Sequence, residues 1–368
     1  MIYLDYAANS PVEEEVLKTY IEANKKFIAN PNSKHDLGIQ AKEAIENSTK
    51  NIKKLLNLNN SKVIYTSGAS EANNLAIKGI CQKYKNGHII ISPLEHSSVV
   101  APVNYLQSKC FDIDIVNLDK SGRVDLEHLK SLLRDDTILV SIASVDSEIG
   151  IIQPIDEINE LIKKYPNCTF HTDSSQAIGK TNINFDAIDM FTIAPHKFNG
   201  LNGFGALIIK NGIKLIPQIN GGMSTTEFRS GTPDVANIIA MEKALELTLI
   251  NKDKNDKYLS DLKKYIINKL STINNIYINS NEYSINSTIN FSILKTDSNF
   301  IASKLNEKEI YVSTKSACSN SSAPSKLVLA VTNDIKKASS SIRISYSTKT
   351  SYDEIDTFID ELKKILEK

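Results

Sequence analysis

The 368-residue chain is poor in cysteine, has no net charge and contains no long apolar run. Its four cysteines, Cys81, Cys110, Cys168 and Cys318, lie far apart with no Cys-x-x-Cys pair. That spacing speaks against a disulfide framework or a cysteine-based zinc site and fits a reducing compartment. Lys plus Arg number 43 and Asp plus Glu number 43, so no broad attraction to nucleic acid is built in. No apolar stretch approaches the ~20 residues that span a bilayer, and Met1-Ile2-Tyr3-Leu4-Asp5 lacks the basic start of a signal peptide. The expectation is a soluble, cytoplasmic protein with no membrane or direct nucleic-acid partner.

What is present is a pattern of short β-branched runs alternating with helical periodicity, the signature of an α/β fold with a large, mostly parallel sheet covered by helices. Strands are expected at 63–66, 88–91, 112–116, 137–143, 169–172, 190–193 and 206–209. Ser10-Pro11-Val12-Glu13 reads as an N-cap, a first-turn proline and a capping-box acid opening a helix. After about Asn251 the composition shifts to Lys, Asn, Asp and Ser. We therefore expect a large domain over 1–250, whose N-terminal segment packs with the second unit, and a smaller α+β domain over 251–368. The latter should hold a helix near 257–270, strands at 287–293, 310–312 and 341–345, and a closing helix at 353–366.

Several segments carry chemistry. His171-Thr172-Asp173-Ser174-Ser175-Gln176 sits at one expected strand end and His196-Lys197 at another; ligands of open α/β sheets bind at such carboxyl ends. An acid and a lysine there suit pyridoxal phosphate (PLP), whose aldehyde condenses with an amine and whose ring nitrogen pairs with a carboxylate. Taken singly, Asp173 could cap a helix and Lys197 could be a solvated surface residue. The glycine-rich run Phe198-Asn199-Gly200-Leu201-Asn202-Gly203-Phe204-Gly205 favours a close-packed ligand site instead. Thr66-Ser67-Gly68-Ala69-Ser70-Glu71 opens a helix and is either an ordinary N-cap or a phosphate cradle. His96, in Leu94-Glu95-His96-Ser97-Ser98, is either structural or placed to stack on a cofactor and move protons; His35, His88 and His128 receive no role. Cys318 lies in a small, polar run, Ser313-Thr314-Lys315-Ser316-Ala317-Cys318-Ser319-Asn320, which points to an exposed, reactive thiol. Arg343 falls inside a strand pattern, where either a substrate carboxylate or a structural ion pair would satisfy its guanidinium.

In this order and at these separations, the segments resemble the cysteine desulfurases, PLP-dependent enzymes of the class V aminotransferase superfamily. The resemblance runs from Tyr3-Leu4-Asp5-Tyr6-Ala7-Ala8 through Asn30-Pro31-Asn32-Ser33-Lys34-His35, Glu148-Ile149-Gly150, His196-Lys197 and Arg229-Ser230-Gly231-Thr232 to Ser316-Ala317-Cys318 and Ser341-Ile342-Arg343. It implies the fold of type I PLP-dependent transferases and a homodimer. It also implies that Lys197 carries the cofactor, Asp173 binds the ring nitrogen, His96 stacks on the ring and Gln176 reaches the ring hydroxyl. Ala69, Ser70 and His196 would hold the phosphate, Thr232 the phosphate of the neighbouring subunit, and Ser147 would stand at a further cofactor contact. Arg343 and Asn32 would bind substrate cysteine. Cys318 would take its sulfur as a persulfide, release alanine and pass sulfur to an acceptor protein.

Three departures stand out. Ser147 occupies the place of a usual asparagine, Ala194 and Pro195 replace a phosphate-contacting serine and a glycine, and Lys315 replaces a glycine shortly before the cysteine. The alternative is another class V PLP enzyme, an aminotransferase or lyase acting on a different amino acid. A non-catalytic scaffold is disfavoured because Lys197, Asp173, His96, Cys318 and Arg343 are all present.

Overall fold

The computed structural model describes residues 1–314 and 323–367. Cys318, Lys315 and the residues between them lie outside that description, and so does the reading of this segment as a reactive loop.

Seven strands form the main sheet: β2 (Ser61–Thr66), β3 (Gly87–Ile91), β4 (Phe111–Ile115), β5 (Thr137–Ser141), β6 (Thr169–Asp173), β7 (Met190–Ile193) and β8 (Gly205–Lys210), in the order β2-β8-β7-β6-β5-β3-β4. β8 runs antiparallel to both of its neighbours, and the other pairings are parallel. The strands are rich in Ile, Leu and Val because both faces of the sheet are covered. Alternate residues divide between two cores. Ile90, Val140, Phe170, Phe191 and Ile208 pack on one side, and Ile89, Ile91, Leu139, Met190, Leu207 and Ile209 on the other.

Beyond the main sheet, β9 (Ile276–Ile278), β10 (Thr288–Ile293) and β12 (Ser341–Ser345) form an antiparallel sheet in the order β12-β10-β9. The N-terminal strand β1 (Ile2–Tyr3) pairs in parallel with β11 (Ile310–Tyr311), and Asp5 bridges to Ser345. Leu4 accordingly belongs to the core built on Ile289, Phe291, Ile342 and Ile344. The first residues of the chain thus pack against the last strands, and the Tyr6–Asn9 stretch then crosses to the main sheet.

One helix start differs from expectation. The first helix spans Glu14–Lys26, follows Glu13 and has no side-chain cap. Ser10 instead donates its hydroxyl to the His196 carbonyl at 2.8 Å and accepts from the Asn199 amide at 2.7 Å. The serine that resembles a cap is a clamp between the N-terminal segment and the loop carrying Lys197, because a tertiary partner outcompetes the local one.

Candidate active site

Parallel strands bring their following loops to one edge, and five of them do so here. β2 leads to Gly68–Glu71, β3 to Glu95-His96, β5 to Ala143–Ser147, β6 runs into Asp173–Gln176, and β7 leads to His196-Lys197. Together with Ala7, Ala8, Gly203, Phe204 and Arg343, these loops line a cavity of about 370 Å³.

The Lys197 amine donates to the carbonyls of Ala7 at 2.8 Å and Ala8 at 2.7 Å. These contacts hold it toward the cavity, and the surface-lysine reading does not apply. Asp173 is buried. Its carboxylate accepts from Asn73 Nδ2 at 2.7 Å and from the Ser175 amide at 3.0 Å. His96 caps the helix Ser97–Gln107, accepting at Nδ1 from the Ser98 amide. Burial pushes its imidazole below its ordinary pKa; nearby Asp173 opposes that shift and Lys197 adds to it. Burial beside Lys197 likewise lowers His196 to about 4, so it is neutral at physiological pH. Beneath His96, the buried Glu95 accepts from Ser92 at 2.6 Å and from the Ala143 amide at 2.8 Å. Burial, with Asp173 adding to it, pushes Glu95 up to about 8.

The helix Ala69–Cys81 starts at Gly68, with φ +153 and no side-chain cap. Its first N–H groups are therefore a ready anion site at the cavity edge. Gly205 makes this possible, because a Cβ there would come within 2.7 Å of the Gly68 backbone. Glu71 pairs with Arg229 at 2.9 Å, which ties the Arg229–Thr232 segment to this helix start.

On the opposite wall, Arg343 is only 2% exposed. It donates to Asp5 at 2.5 Å and to the Ser147 carbonyl at 2.6 Å, while its Nε has no partner. The ion pair foreseen as an alternative is present. Gln176 lines the cavity, but its amide donates to the Ala7 carbonyl at 2.9 Å and its oxygen accepts from Lys180 at 3.3 Å. Two expected residues are not brought here within one chain. Thr232 is exposed and away from the cavity, and Asn32 lines a separate groove of about 1030 Å³ beside Lys42, Lys50 and Tyr65. Sequence reasoning overlooked Asn73, Ser98, Asp5, Ser10 and the Ala7 and Ala8 carbonyls. Asn73 left one signal: it is a polar residue on the face of a helix that also presents Ile77 and Ile80.

The model of the aminotransferase class-V family matches residues 2–358. A curated relative, cysteine desulfurase IscS of Dictyoglomus turgidum, is 38% identical, with the alignment covering 100% of this chain and 95% of that protein. The chain belongs to the cysteine desulfurase family of class-V aminotransferases. Among solved structures, a NifS-like protein superposes with a TM-score of 0.93 at 29% identity, covering 100% of this chain and 99% of that one. A NifS-like protein from Rickettsia africae gives 0.90 at 31% identity with both chains covered completely. The fold expected from the sequence, a type I PLP-transferase architecture around a mostly parallel sheet, is borne out by these likenesses. Among the described residues no helix is long and apolar enough to cross a membrane, and no cluster of His, Cys, Asp and Glu is placed to hold a metal.

Proposed function

We propose that this chain is a PLP-dependent cysteine desulfurase that converts L-cysteine to L-alanine and stores the sulfur on Cys318 as a persulfide. The observation that carries the reading is the convergence of Lys197, Asp173, His96 and an uncapped helix start on one cavity at the carboxyl edge of the sheet.

The residues present fit the cofactor. Ser175 Oγ is a buried hydroxyl without a partner beside the Asp173 carboxylate, and the uncapped N–H groups at Ala69 and Ser70, with His196, suit a phosphate. Lys197 would hold the aldehyde carbon, Asp173 the ring nitrogen, and His96 a face of the ring. When bound, PLP supplies an electron sink for the bonds at the substrate α-carbon. Asp173, its carboxylate held in place by Asn73 and the Ser175 amide, would pair with the ring nitrogen and favour that role. Lys197 and His96 are the groups able to hold or move a proton at the cavity. Arg343 would take the substrate carboxylate by yielding its contact with Asp5. Cys318, as thiolate, would attack the substrate sulfur; the carbon–sulfur bond breaks, the substrate carbon is protonated to alanine, and a sulfur–sulfur bond forms on Cys318.

The reading extends to a homodimer in which Thr232 serves the neighbouring subunit's phosphate, since Thr232 is exposed and tethered near the helix start through Arg229 and Glu71. Asn32 would serve substrate binding from its separate groove in the same assembly. The reading also includes a large domain over 1–250 and a small one over 251–368, supported by their distinct cores. A free thiol at Cys318 requires a reducing, cytoplasmic setting, and the stored sulfur would go to an acceptor protein.

The test is to load the purified chain with PLP and supply L-cysteine. Alanine and a persulfide on Cys318 should appear, borohydride should fix the cofactor on Lys197, and Cys318→Ala should bind PLP while making no persulfide. Undiminished sulfide release by Cys318→Ala, or keto-acid formation from an amino donor, would replace this reading with the aminotransferase or lyase alternative.

A further inference from the structure

Behind the cavity, four side chains form one hydrogen-bonded line. Asn73, fully buried in the helix Ala69–Cys81, uses one amide nitrogen for two bonds: to Asp173 Oδ2 at 2.7 Å and to Ser98 Oγ at 2.8 Å. The Ser98 oxygen in turn lies 2.8 Å from His96 Nδ1, and the Ser98 backbone amide reaches the same ring nitrogen at 3.2 Å.

The backbone donor at Ser98 sets the direction of the line. The Asn73 NH₂ group gives one hydrogen to Asp173 Oδ2 and the other to Ser98 Oγ. The Ser98 backbone N–H can only donate, so His96 Nδ1 is an acceptor, and the Ser98 hydroxyl that faces the same nitrogen must give its proton to it. The two donors share the one lone pair of Nδ1, which therefore cannot carry the ring proton of a neutral imidazole, and burial favours the neutral form.

We propose that Asn73 and Ser98 are positioning residues that fix His96 with its proton on Nε2, so that the ring carries an N–H, not a lone pair, on the nitrogen away from Ser98. The same asparagine orients the Asp173 carboxylate, so one buried amide aligns the acid and the imidazole that border the cavity. The consequence for turnover rests on the desulfurase reading; the tautomer does not.

Nitrogen NMR of the histidine-labelled chain, first without and then with PLP, reads the tautomer directly. His96 should have a protonated Nε2 and an unprotonated, strongly hydrogen-bonded Nδ1 in both states. Ser98→Ala should move the Nδ1 resonance toward that of a weakly bonded acceptor and lower kcat for cysteine about tenfold with KM little changed, the loss expected for one hydrogen bond at the reacting centre. Ser98→Thr, which keeps the hydroxyl, should restore both. A proton on Nδ1 in the parent chain, or a Ser98→Ala variant whose Nδ1 resonance and kcat are unchanged, overturns the proposal. If the parent chain has the stated tautomer yet makes no alanine from cysteine, the function fails and the positioning assignment stands.

Discussion

The wall built from Asp173, His96 and the Gly68–Glu71 helix start differs in kind from the wall built from Ser147, Arg343 and Asp5. The first draws its side chains from loops at one edge of a single sheet and joins them through Asn73 and Ser98, which are neutral. Burial favours the uncharged form of its histidine, and Asp173 is held by the neutral donors Asn73 and the Ser175 amide. The second wall spans three sheets. Asp5 follows β1, Arg343 lies in β12, Ser147 follows β5, and a buried guanidinium joins them. A ligand carboxylate must compete with Asp5 for that guanidinium. Under the proposed function the cofactor wall is preset and the substrate wall is made on binding, a difference that can be broken or sharpened at three places.

The largest effect should come from the acid beneath His96. Glu95 is fully buried with its pKa raised to about 8, from burial first and the Asp173 charge second. Between its unfolded value near 4.5 and about 8 the folded chain binds the extra proton. Its contribution is therefore present at low pH and lost as pH rises through 8. A shift of this size corresponds to roughly 3–5 kcal/mol once the group is forced to ionise. Glu95→Gln cannot ionise and can still accept from Ser92 and the Ala143 amide. The expected outcome is a thermal midpoint that falls between pH 6 and pH 9 in the parent chain relative to Glu95→Gln. Parallel profiles for the two proteins would mean that the preset wall tolerates a buried charge and is built no differently from the other.

How much of this was legible in the sequence follows the same division. The sheet announced itself, because strands covered on both faces must be apolar throughout; Met190–Ile193 and Ser341–Ser345 match their expected bounds and other strands shift by one or two residues. Lys197, Asp173 and His96 were legible because each directly follows or ends a readable strand. Ser10 misled because Ser-Pro-Val-Glu satisfies every local rule for a helix start, while its actual partners lie near residue 196. Asp5 was read only as part of a resemblance; its pairing with Arg343 joins the two ends of the chain, and no periodicity reports such a contact. Asn73 and Ser98 were passed over because a polar residue on a helix is ordinarily solvated.

The second test concerns the ion pair. If Arg343 serves the substrate, Arg343→Lys should raise KM for cysteine about 100-fold, on the order of 2–3 kcal/mol for a charge-assisted, planar contact that lysine cannot reproduce. Asp5→Asn should act in the opposite sense on KM, because it removes the competing carboxylate, while lowering thermal stability by stranding a buried charge. Steady-state kinetics and melting curves of both variants separate the cases. Loss of stability in both with KM unchanged would make the pair purely structural, and the two walls would then be alike in needing no rearrangement.

The smallest effect belongs to the departures from the family pattern, Ser147 on the second wall and Ala194 behind the loop that carries Lys197. Ser147 lines the cavity, and its carbonyl is already fixed by Arg343 at 2.6 Å, so the backbone is held and only the side chain is shorter than the asparagine expected there. Ser147→Asn should extend an amide into space that serine leaves open and orient the substrate. Ala194 is fully buried, and its carbonyl accepts from the Lys197 amide at 3.1 Å, so its environment is preset. A hydroxyl introduced by Ala194→Ser must find a partner or cost ~1–3 kcal/mol as a buried unsatisfied group. Without PLP this variant should melt lower than the parent; with PLP the phosphate should accept the new bond and the deficit should vanish. Together the two changes should raise kcat/KM for cysteine about tenfold, the value of one good hydrogen bond to a charged group. An Ala194→Ser deficit that persists with saturating PLP would mean that residue 194 does not face the phosphate. A Ser147→Asn variant with unchanged kcat/KM would mean that the Arg343–Asp5 arrangement alone orients the substrate.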